Sequence, residues 1–341
     1  SYVVKKRHFT RALRHLFRHI RLRPLACFQK CLGIRLFPDL LYIFARARLL
    51  VSRDIFMAIV PMFHANCWGT PYSCAMVGAS QVFPGVRPDP KVICELIEKE
   101  QVTISAGVPT IWIGMMDYLE RSGQQYDFSS LRELVSGGSA LPISLIQAYR
   151  EKLGVELVHA YGMTEATPLI SVNRRKAGLD RLSEEERLQL AGKQGLLIPG
   201  LEMKLVDEDG LELPWDGEQR GELLFRGPWI AGEYYNDPRT SETFVDGWYH
   251  SGDIASVDEH GYIQIGDRVK DMVKSGGEWI SSVDLETAII AHPAVLEAAV
   301  IAIPHPTWQE RPLACVVPKG EFRDSLDTAE ILDFIRDRFA R

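Results

Sequence analysis

The segment YGMTE, residues 161–165, brings an aromatic ring, a glycine, a hydroxyl and a carboxylate together. Tyr161 offers a flat face on which a purine can stack, and Gly162 leaves room for a ligand to approach the backbone. Thr164 can bond to a phosphate oxygen, and Glu165 supplies a hard oxygen ligand of the kind that Mg²⁺ prefers. Taken alone, the segment is more simply explained as a loop with a capping threonine and a surface glutamate, because short motifs often match by chance.

Three further segments carry residue types that would complete a nucleotide site. The glycine loop SGGSALP follows an apolar strand, and the backbone of Gly138, Ser139 and Ala140 could border an adenine or a ribose. Asp253 follows a Ser-Gly turn, where a carboxylate can accept hydrogen bonds from both ribose hydroxyls. Arg268 can pair with phosphate or ribose oxygens. A turn glycine, an N-cap aspartate and a surface arginine are the simpler explanations, but the four segments in this order favour a nucleotide site.

The elements that must position these residues alternate between strands and helices. DIFMAIV, TISAG, RELVS and GVELVHA are typical of buried strands, while PKVICELIEKE and SLIQAYREKLG are typical of helices. The second helix should end at Gly154. This alternation predicts a mainly parallel α/β sheet, which binds ligands beyond the carboxyl ends of its strands.

The pattern changes in the second half of the chain. A charged helix is expected at residues 182–192, and residues 195–265 read as short strands with Gly and Pro turns, a β-rich subdomain. Two strands, AVLEAAVIAIP and PLACVVP, and a helix, AEILDFIRDRFA, then follow. We therefore predict the α/β class, with a large N-terminal domain of parallel α/β layers plus a β-rich subdomain and a small α/β C-terminal domain.

The composition is that of a globular protein: 341 residues, 46% hydrophobic and 25% charged, with a net charge of -6. No run of about 18 apolar residues predicts a membrane span. The six cysteines form no CxxC pair, so we expect buried thiols in a reducing compartment rather than disulfides or a zinc site.

The first 50 residues differ from the rest, with twelve Lys or Arg and a single acid, Asp39. Apolar residues recur at helical spacing from Phe9 to Ile20, opposite a basic face. This pattern predicts either a surface or membrane-peripheral helix or a helix of the main domain with a solvated basic face.

The segments PMFHANCWG, SGGSALP, YGMTEATP, GELLFRGPWIAGEYY, GWYHSGD, DRVKDMVKSGGEWISSVDLE and HPTWQERPLA occur in this order. Together they resemble the adenylate-forming acyl-CoA synthetases, and most closely their medium- and long-chain fatty-acid:CoA ligase branch. The resemblance covers about residues 51–341. It implies the fold of that family and a reaction in which ATP activates a carboxylate as an acyl-adenylate that passes to CoA, with Mg²⁺ as the metal.

The resemblance also implies roles for the nucleotide residues. Thr164 and Glu165 match the phosphate- and Mg²⁺-binding positions, and Asp253 and Arg268 match the ribose contacts. The adenine surround is matched by Gly138, Ser139, Ala140, Tyr161 and Gly162.

Acyl-binding residues follow from the same resemblance. His64 and Trp68 match the entrance of an acyl tunnel, where a tryptophan gates the tunnel and a histidine lines the carboxylate site. Gly107 and Val108 are expected to line the same tunnel. For Trp68, a plain core position is the alternative.

Four residues match the moving part of the family. Lys270 matches the hinge about which the small domain rotates between half-reactions, and Lys274 matches a lysine that serves the second half-reaction. Gly276 and Gly277 match a loop that borders the pantetheine channel for CoA.

Two parts of the family pattern are missing from the sequence. Residues 1–50 hold one glycine, Gly33, and no Gly-rich loop ending in lysine that would wrap the phosphates. The lysine that contacts the carboxylate and α-phosphate during adenylation belongs beyond Arg341. We therefore expect an incomplete copy, with residues 1–50 atypical and foreign to the family, through a reading-frame error or a genuine replacement.

The predicted boundaries are 1–50 for the basic segment, 51–266 for the partial large domain, 267–270 for the hinge and 271–341 for the truncated small domain. The predicted function is AMP-forming fatty-acid:CoA ligation by a cytoplasmic or membrane-peripheral protein, with fatty acid, ATP and CoA as ligands, no nucleic acid, and a homodimer left open. The alternatives are an adenylation domain that loads a carrier-protein thiol, a luciferase-like monooxygenase, and a non-catalytic degenerate nucleotide-binding protein.

Overall fold

The computed structural model describes residues 2–4, 50–179, 181–268, 273–275, 278–323 and 325–336. The predicted helix from Phe9 to Ile20 lies outside the described residues, and so do Lys270, Gly276 and Gly277. Arg268 and Lys274 are described by their backbone alone.

The first part of the chain forms the parallel half of a large sheet. Its strands are β1 (Tyr2–Val4), β2 (Ile55–Ala58), β3 (Ser80–Phe83), β4 (Ile104–Gly107), β5 (Glu133–Ser136) and β6 (Glu156–Gly162). They lie in the order β1-β3-β2-β4-β5-β6, and all neighbours are parallel except β1 and β3. The predicted parallel α/β layer is confirmed.

Helices connect these strands, including the two that the apolar periodicity predicts, PKVICELIEKE and SLIQAYREKLG. They are α1 (Ala65–Trp68), α2 (Thr70–Val77), α3 (Pro90–Glu100), α4 (Pro109–Ser122) and α5 (Ile143–Leu153). The Asp89 side chain accepts a hydrogen bond from the backbone N–H of Val92 and so caps α3. Gly154, with φ of 67°, ends α5 as predicted, because a left-handed residue closes a helix at little cost only when it lacks a Cβ.

The same sheet continues as an antiparallel half. This half contains β7 (Leu169–Val172), β8 (Gly195–Leu197), β9 (Glu202–Val206), β10 (Gly221–Arg226), β11 (Phe244–Val245), β12 (Trp248–Val257) and β13 (Tyr262–Arg268), with helices α6 (Glu184–Gly192) and α7 (Thr240–Thr243). It follows β6 in the order β7-β8-β13-β12-β10-β9, while β11 pairs with β12. The predicted β-rich subdomain is therefore continuous with the parallel layer through the pairing of β6 with β7.

A separate four-stranded sheet forms the small C-terminal part. Its elements are β14 (Val273–Ser275), β15 (Glu278–Ile280), α8 (Ser282–Ile290), β16 (Val295–His305), β17 (Gln309–Pro318) and α9 (Thr328–Ile335), with strand order β15-β14-β17-β16. The two predicted strands and the final helix are confirmed here, and the predicted α/β class with them.

The described cysteines are free thiols. Cys67, Cys74 and Cys94 are buried as predicted, whereas Cys315 is exposed. The prediction of burial was wrong for Cys315 because β17 pairs it with Ala299 on a face of the small sheet that stays open to solvent. No helix within the described ranges is long and apolar enough to cross a membrane.

A buried tyrosine joins the helices that cover the parallel half. Tyr149 on α5 is fully buried and donates a hydrogen bond of 2.8 Å to the backbone oxygen of Trp112 on α4. Both rings belong to a core that includes Met57 on β2 and Leu134 on β5. Burial raises the pKa of Tyr149 well above its ordinary value of 10.0, so its hydroxyl stays a donor.

Replacing Tyr149 by phenylalanine should lower the free energy of unfolding by about 1–3 kcal/mol, because the hydroxyl is lost and a buried carbonyl loses a partner. Urea unfolding measures the change, and Tyr72→Phe, at a half-exposed tyrosine, is the control.

The pH dependence of the same pair has a defined sign. The unfolded tyrosine ionises near pH 10, whereas the folded pKa lies higher, so the contribution to stability is present below about pH 10 and is lost above it. Tyr149→Phe should therefore lose less stability than the parent chain when the pH rises through 10. Equal losses would show that Tyr149 is accessible to base in the fold.

Candidate functional site

The site lies where the parallel half of the sheet meets the antiparallel half. After Gly162, at the carboxyl end of β6, a 3₁₀ turn (Thr164–Ala166) leads back into β7. A Cβ on Gly162 would lie 2.0 Å from the carbonyl oxygen of Pro168, which also accepts a 2.7 Å hydrogen bond from the N–H of Met163. Residue 162 must therefore be a glycine because the backbone of Pro168 packs against it. The sequence had instead suggested that this glycine permits the approach of a ligand.

One cavity of about 710 Å³ collects most of the predicted nucleotide residues. From the large sheet and its loops it is lined by Gly138, Ser139, Ala140, Tyr161, Gly162 and Asp253. Its opposite wall comes from the small part of the chain, with Ser282 and Glu286 of α8 and Val300 of β16. Residues separated by more than a hundred positions in sequence therefore face one space of a size suited to a nucleotide.

Tyr161 and Asp253 are in direct contact within this cavity. The Tyr161 hydroxyl donates a 2.5 Å hydrogen bond to Oδ2 of Asp253. Burial and the negative charge of Asp253 raise the pKa of Tyr161 well above 10.0, so its hydroxyl remains a donor. The register of β12 on β13 pairs Asp253 with Arg268 across the two strands. The two residues predicted to contact a ribose are thus at directly opposite positions on adjacent strands.

His159 is a lining residue that the sequence reasoning missed. It is buried on β6 two residues before Tyr161, with Nδ1 3.0 Å from the carbonyl oxygen of Gly192 and Nε2 3.2 Å from that of Ser139. Burial lowers the pKa of His159, against the opposing effect of the two carbonyls. A neutral ring donates to one carbonyl at a time. Its spacing of two residues from Tyr161 was the signal in the sequence, because alternate residues of a strand point to the same face.

Glu165 is half-buried in the 3₁₀ turn, and Thr164 is exposed beside it. Oε1 of Glu165 accepts a 2.6 Å hydrogen bond from the hydroxyl of Tyr234, a second residue that the sequence reasoning missed. Within the described residues Oε2 has no hydrogen-bond partner, and no group of three or more His, Cys, Asp or Glu is placed to hold a metal. A single carboxylate suits Mg²⁺, which commonly takes its other ligands from phosphate and water.

A second cavity, of about 220 Å³, adjoins the first and is mainly apolar. Its walls include Leu50, Phe56, Ile104, Ala106, Val135 and Val172, and its polar residues are His64, Thr70, Tyr161 and Thr164. Gly138, Ala160, Tyr161 and Gly162 line both cavities. An apolar group in one cavity could therefore be joined to a nucleotide in the other.

Gly107, at the end of β4, and Val108, which follows it, were also predicted to contact the acyl group. Unlike His64 and Trp68, they are not among the residues that line the apolar cavity. On β4 the cavity wall is formed by Ile104 and Ala106, while Gly107 lies so close to the Trp112 indole that a Cβ on Gly107 would be 2.8 Å from Cζ2. Val108 lies against Gly138. Gly107 therefore serves packing of the core, and the geometry gives no support to its predicted acyl contact.

His64 and Trp68 border the apolar cavity across a left-handed turn. The four residues of α1 and Gly69 all have positive φ, from 42° to 69°, and the N–H of Trp68 donates a 3.0 Å hydrogen bond to the carbonyl oxygen of His64. Left-handed geometry costs roughly 1–2 kcal/mol for each residue with a Cβ. Such strain persists where surrounding structure holds it and is frequent at ligand sites.

Comparison with known proteins identifies the family. The sequence model of the AMP-binding enzyme family matches residues 38–235, and that of the AMP-binding enzyme C-terminal domain matches residues 284–341. The chain therefore belongs to the AMP-binding enzymes, the family of adenylate-forming acyl-CoA ligases, and the predicted resemblance is confirmed.

Two relatives within this family are named as fatty-acid–CoA ligases. The chain is 52% identical to the long-chain-fatty-acid–CoA ligase of Thermus thermophilus over 274 residues, 80% of this chain and 50% of that protein. It is 44% identical to the medium-chain-fatty-acid–CoA ligase of Ectopseudomonas oleovorans over 295 residues, 86% of this chain and 53% of that protein. The chain thus spans about half the length of the curated relatives it matches.

A solved structure shows the same fold. The anthranilate CoA ligase AuaEII, in complex with anthranoyl-AMP, matches with a TM-score of 0.74 and 31% identity over 85% of this chain and 54% of that one.

Asp253→Asn should weaken the binding of AMP by about 1.5–3 kcal/mol, roughly 10- to 150-fold, because a charge-assisted contact with the ribose is lost while the shape is kept. Calorimetric titration of the chain with AMP measures this loss. Asp246→Asn is the matched control, since Asp246 is exposed and its φ of 50° suits asparagine. Unchanged affinity in Asp253→Asn would remove this residue from the site.

Proposed function

We propose that this chain is the nucleotide- and acyl-binding part of an AMP-forming fatty-acid:CoA ligase. The observation that carries the proposal is the pair of adjoining cavities, one polar and one apolar, that share Tyr161 and Gly162. An acyl-adenylate has the same two halves, joined at the bond between carboxylate and phosphate. Thr164 lies on the apolar cavity's polar side, where that bond would form.

The proposed reaction has two steps. A carboxylate oxygen of the acid attacks the α-phosphorus of ATP, and the bond to pyrophosphate breaks, which yields the acyl-adenylate. The thiolate of CoA then attacks the acyl carbon, the bond to the adenylate oxygen breaks, and AMP leaves. The first step depends on neutralising phosphate charge and on holding the two reactants in line.

The residues divide these tasks. Asp253 and Arg268 hold the ribose, Tyr161 and the loop 138–140 enclose the adenine, and Thr164 donates to a phosphate oxygen. Glu165 would hold Mg²⁺, which when bound neutralises charge on the phosphates. Lys270, Lys274, Gly276 and Gly277 keep their proposed roles in domain rotation and thioester formation.

The lining of the apolar cavity favours an uncharged acyl group as its ligand. Within the part of the chain that the structure describes, no acidic side chain and no lysine or arginine lines it, and its walls are mainly aliphatic or aromatic. A medium- or long-chain fatty acid fits this lining, and the 52% identical relative is named for such an acid. An aromatic acid is the second candidate, because the solved structure of AuaEII holds anthranoyl-AMP.

Formation of a thioester with CoA rather than with a carrier protein would separate the ligase from a carrier-loading adenylation domain.

The acyl class is tested with non-hydrolysable acyl-sulfamoyl adenosines that carry acetyl, octanoyl, hexadecanoyl or benzoyl groups. The aliphatic series should bind more tightly than the acetyl compound, by about 0.8 kcal/mol for each methylene group that the cavity buries. The affinities are measured by calorimetry on the 341-residue chain. Tighter binding of the benzoyl compound than of the whole aliphatic series would favour the aromatic acid instead.

Ala106→Leu should shorten the acceptable acyl group, because three added carbon atoms enter the cavity from β4. The affinity for the hexadecanoyl compound should fall about 4- to 15-fold, as expected from one or two excluded methylene groups, while the affinity for AMP stays the same. A parallel loss of AMP affinity would mean that the substitution distorts β4 rather than filling the cavity.

A further inference from the structure

Three contacts fasten the turn that bears Glu165 to a segment of the antiparallel half. The N–H of Ala231 donates a 2.7 Å hydrogen bond to the carbonyl oxygen of Glu165, and the Thr167 hydroxyl donates a 3.0 Å bond to the carbonyl oxygen of Trp229. The Tyr234 hydroxyl donates to Oε1 of Glu165 at 2.6 Å. The first two contacts place the backbone of the turn, and the third alone acts on the carboxylate.

Tyr234 is itself held firmly in place. Its backbone N–H donates to the hydroxyl of Thr240 at 3.0 Å, and that hydroxyl donates back to its carbonyl oxygen at 3.1 Å. Its ring packs edge-on against Phe244 at 5.3 Å, and the Arg239 guanidinium lies 5.6 Å from the ring centre. The side chain therefore meets Glu165 from a preorganised position.

A second phenol supports the first. Tyr249, buried on β12 four residues before Asp253, packs on the same Phe244 ring as Tyr234, and each ring centre lies 5.3 Å from that of Phe244. Tyr249 therefore helps to hold the ring of Tyr234, whose hydroxyl donates to Glu165. Burial and the nearby negative charge of Glu165 raise the pKa of both phenols, which keeps both hydrogens on their oxygens.

We propose that Tyr234 is a positioning residue for the metal-binding carboxylate: its hydroxyl occupies Oε1 of Glu165 and turns Oε2 toward the cation. The inference rests on the proposed function, since it concerns the residue assigned there to Mg²⁺. A carboxylate with one oxygen occupied presents a single, oriented ligand atom, and groups that orient a ligand in this way commonly affect metal affinity strongly.

Tyr234→Phe tests the proposal because it keeps the ring packing and removes only the hydroxyl. ATP affinity is measured by calorimetry on the 341-residue chain over a series of Mg²⁺ concentrations, and AMP affinity is measured without a divalent cation. The Mg²⁺ concentration of half-maximal effect should rise roughly tenfold, while the affinity for AMP stays the same.

Tyr235→Phe is the matched control, because Tyr235 is the neighbouring tyrosine and is 92% exposed. It should change neither measurement. An unchanged Mg²⁺ dependence in Tyr234→Phe would overturn the proposal, and so would equal losses in ATP and AMP affinity, which indicate a merely structural hydroxyl.

A different outcome would contradict the proposed function itself. Glu165→Gln should weaken the Mg²⁺ dependence more than Tyr234→Phe does. If the parent chain binds ATP with no Mg²⁺ dependence, or binds none, the assignment of Glu165 fails and the role of Tyr234 fails with it. If Glu165→Gln has the expected effect and Tyr234→Phe has none, only the role of Tyr234 is lost.

Discussion

The return of the chain from β6 into β7 is the constraint on which the site depends. The Pro168 carbonyl oxygen lies in the space that a side chain on Gly162 would fill, and the N–H of Met163 donates to the same oxygen. This close approach reverses the chain within a few residues and turns a parallel sheet into an antiparallel one. Because the turn sits at that junction, Thr164 lines the apolar cavity and Glu165 follows it in the turn.

The junction also explains why the polar residues work as a set. Parallel strands end at one edge and present the loop 138–140 and Tyr161 there, while the antiparallel half brings Asp253 and Tyr234 to the same edge. Hydrogen bonds then cross the junction, from Tyr161 to Asp253 and from Tyr234 to Glu165. Each bond gives a carboxylate at the junction a protein donor from the other half of the sheet.

The apolar cavity has a different origin. Its walls include core side chains of the parallel strands, and the left-handed turn between His64 and Gly69 borders it. From that turn the Trp68 side chain extends to Gly137: a Cβ on Gly137 would lie 3.5 Å from the Trp68 indole. A small residue in the glycine loop and a strained turn together leave space that a well-packed core would fill.

Much could be predicted from the sequence by itself. Periodicity and turn residues determined the strands and helices, such as α5 and its end at Gly154, because these depend on neighbours along the chain. The order of the motifs determined the family, and the types of Tyr161, Thr164, Glu165 and Asp253 suited a nucleotide. Only the tertiary structure decided which residues share a cavity, that Gly107 packs on Trp112, that Cys315 is exposed, and that His159 and Tyr234 belong to the site. Tyr234 and Glu165 are 69 positions apart, and a contact of that kind depends on how two halves of a sheet pack, which local pattern does not encode.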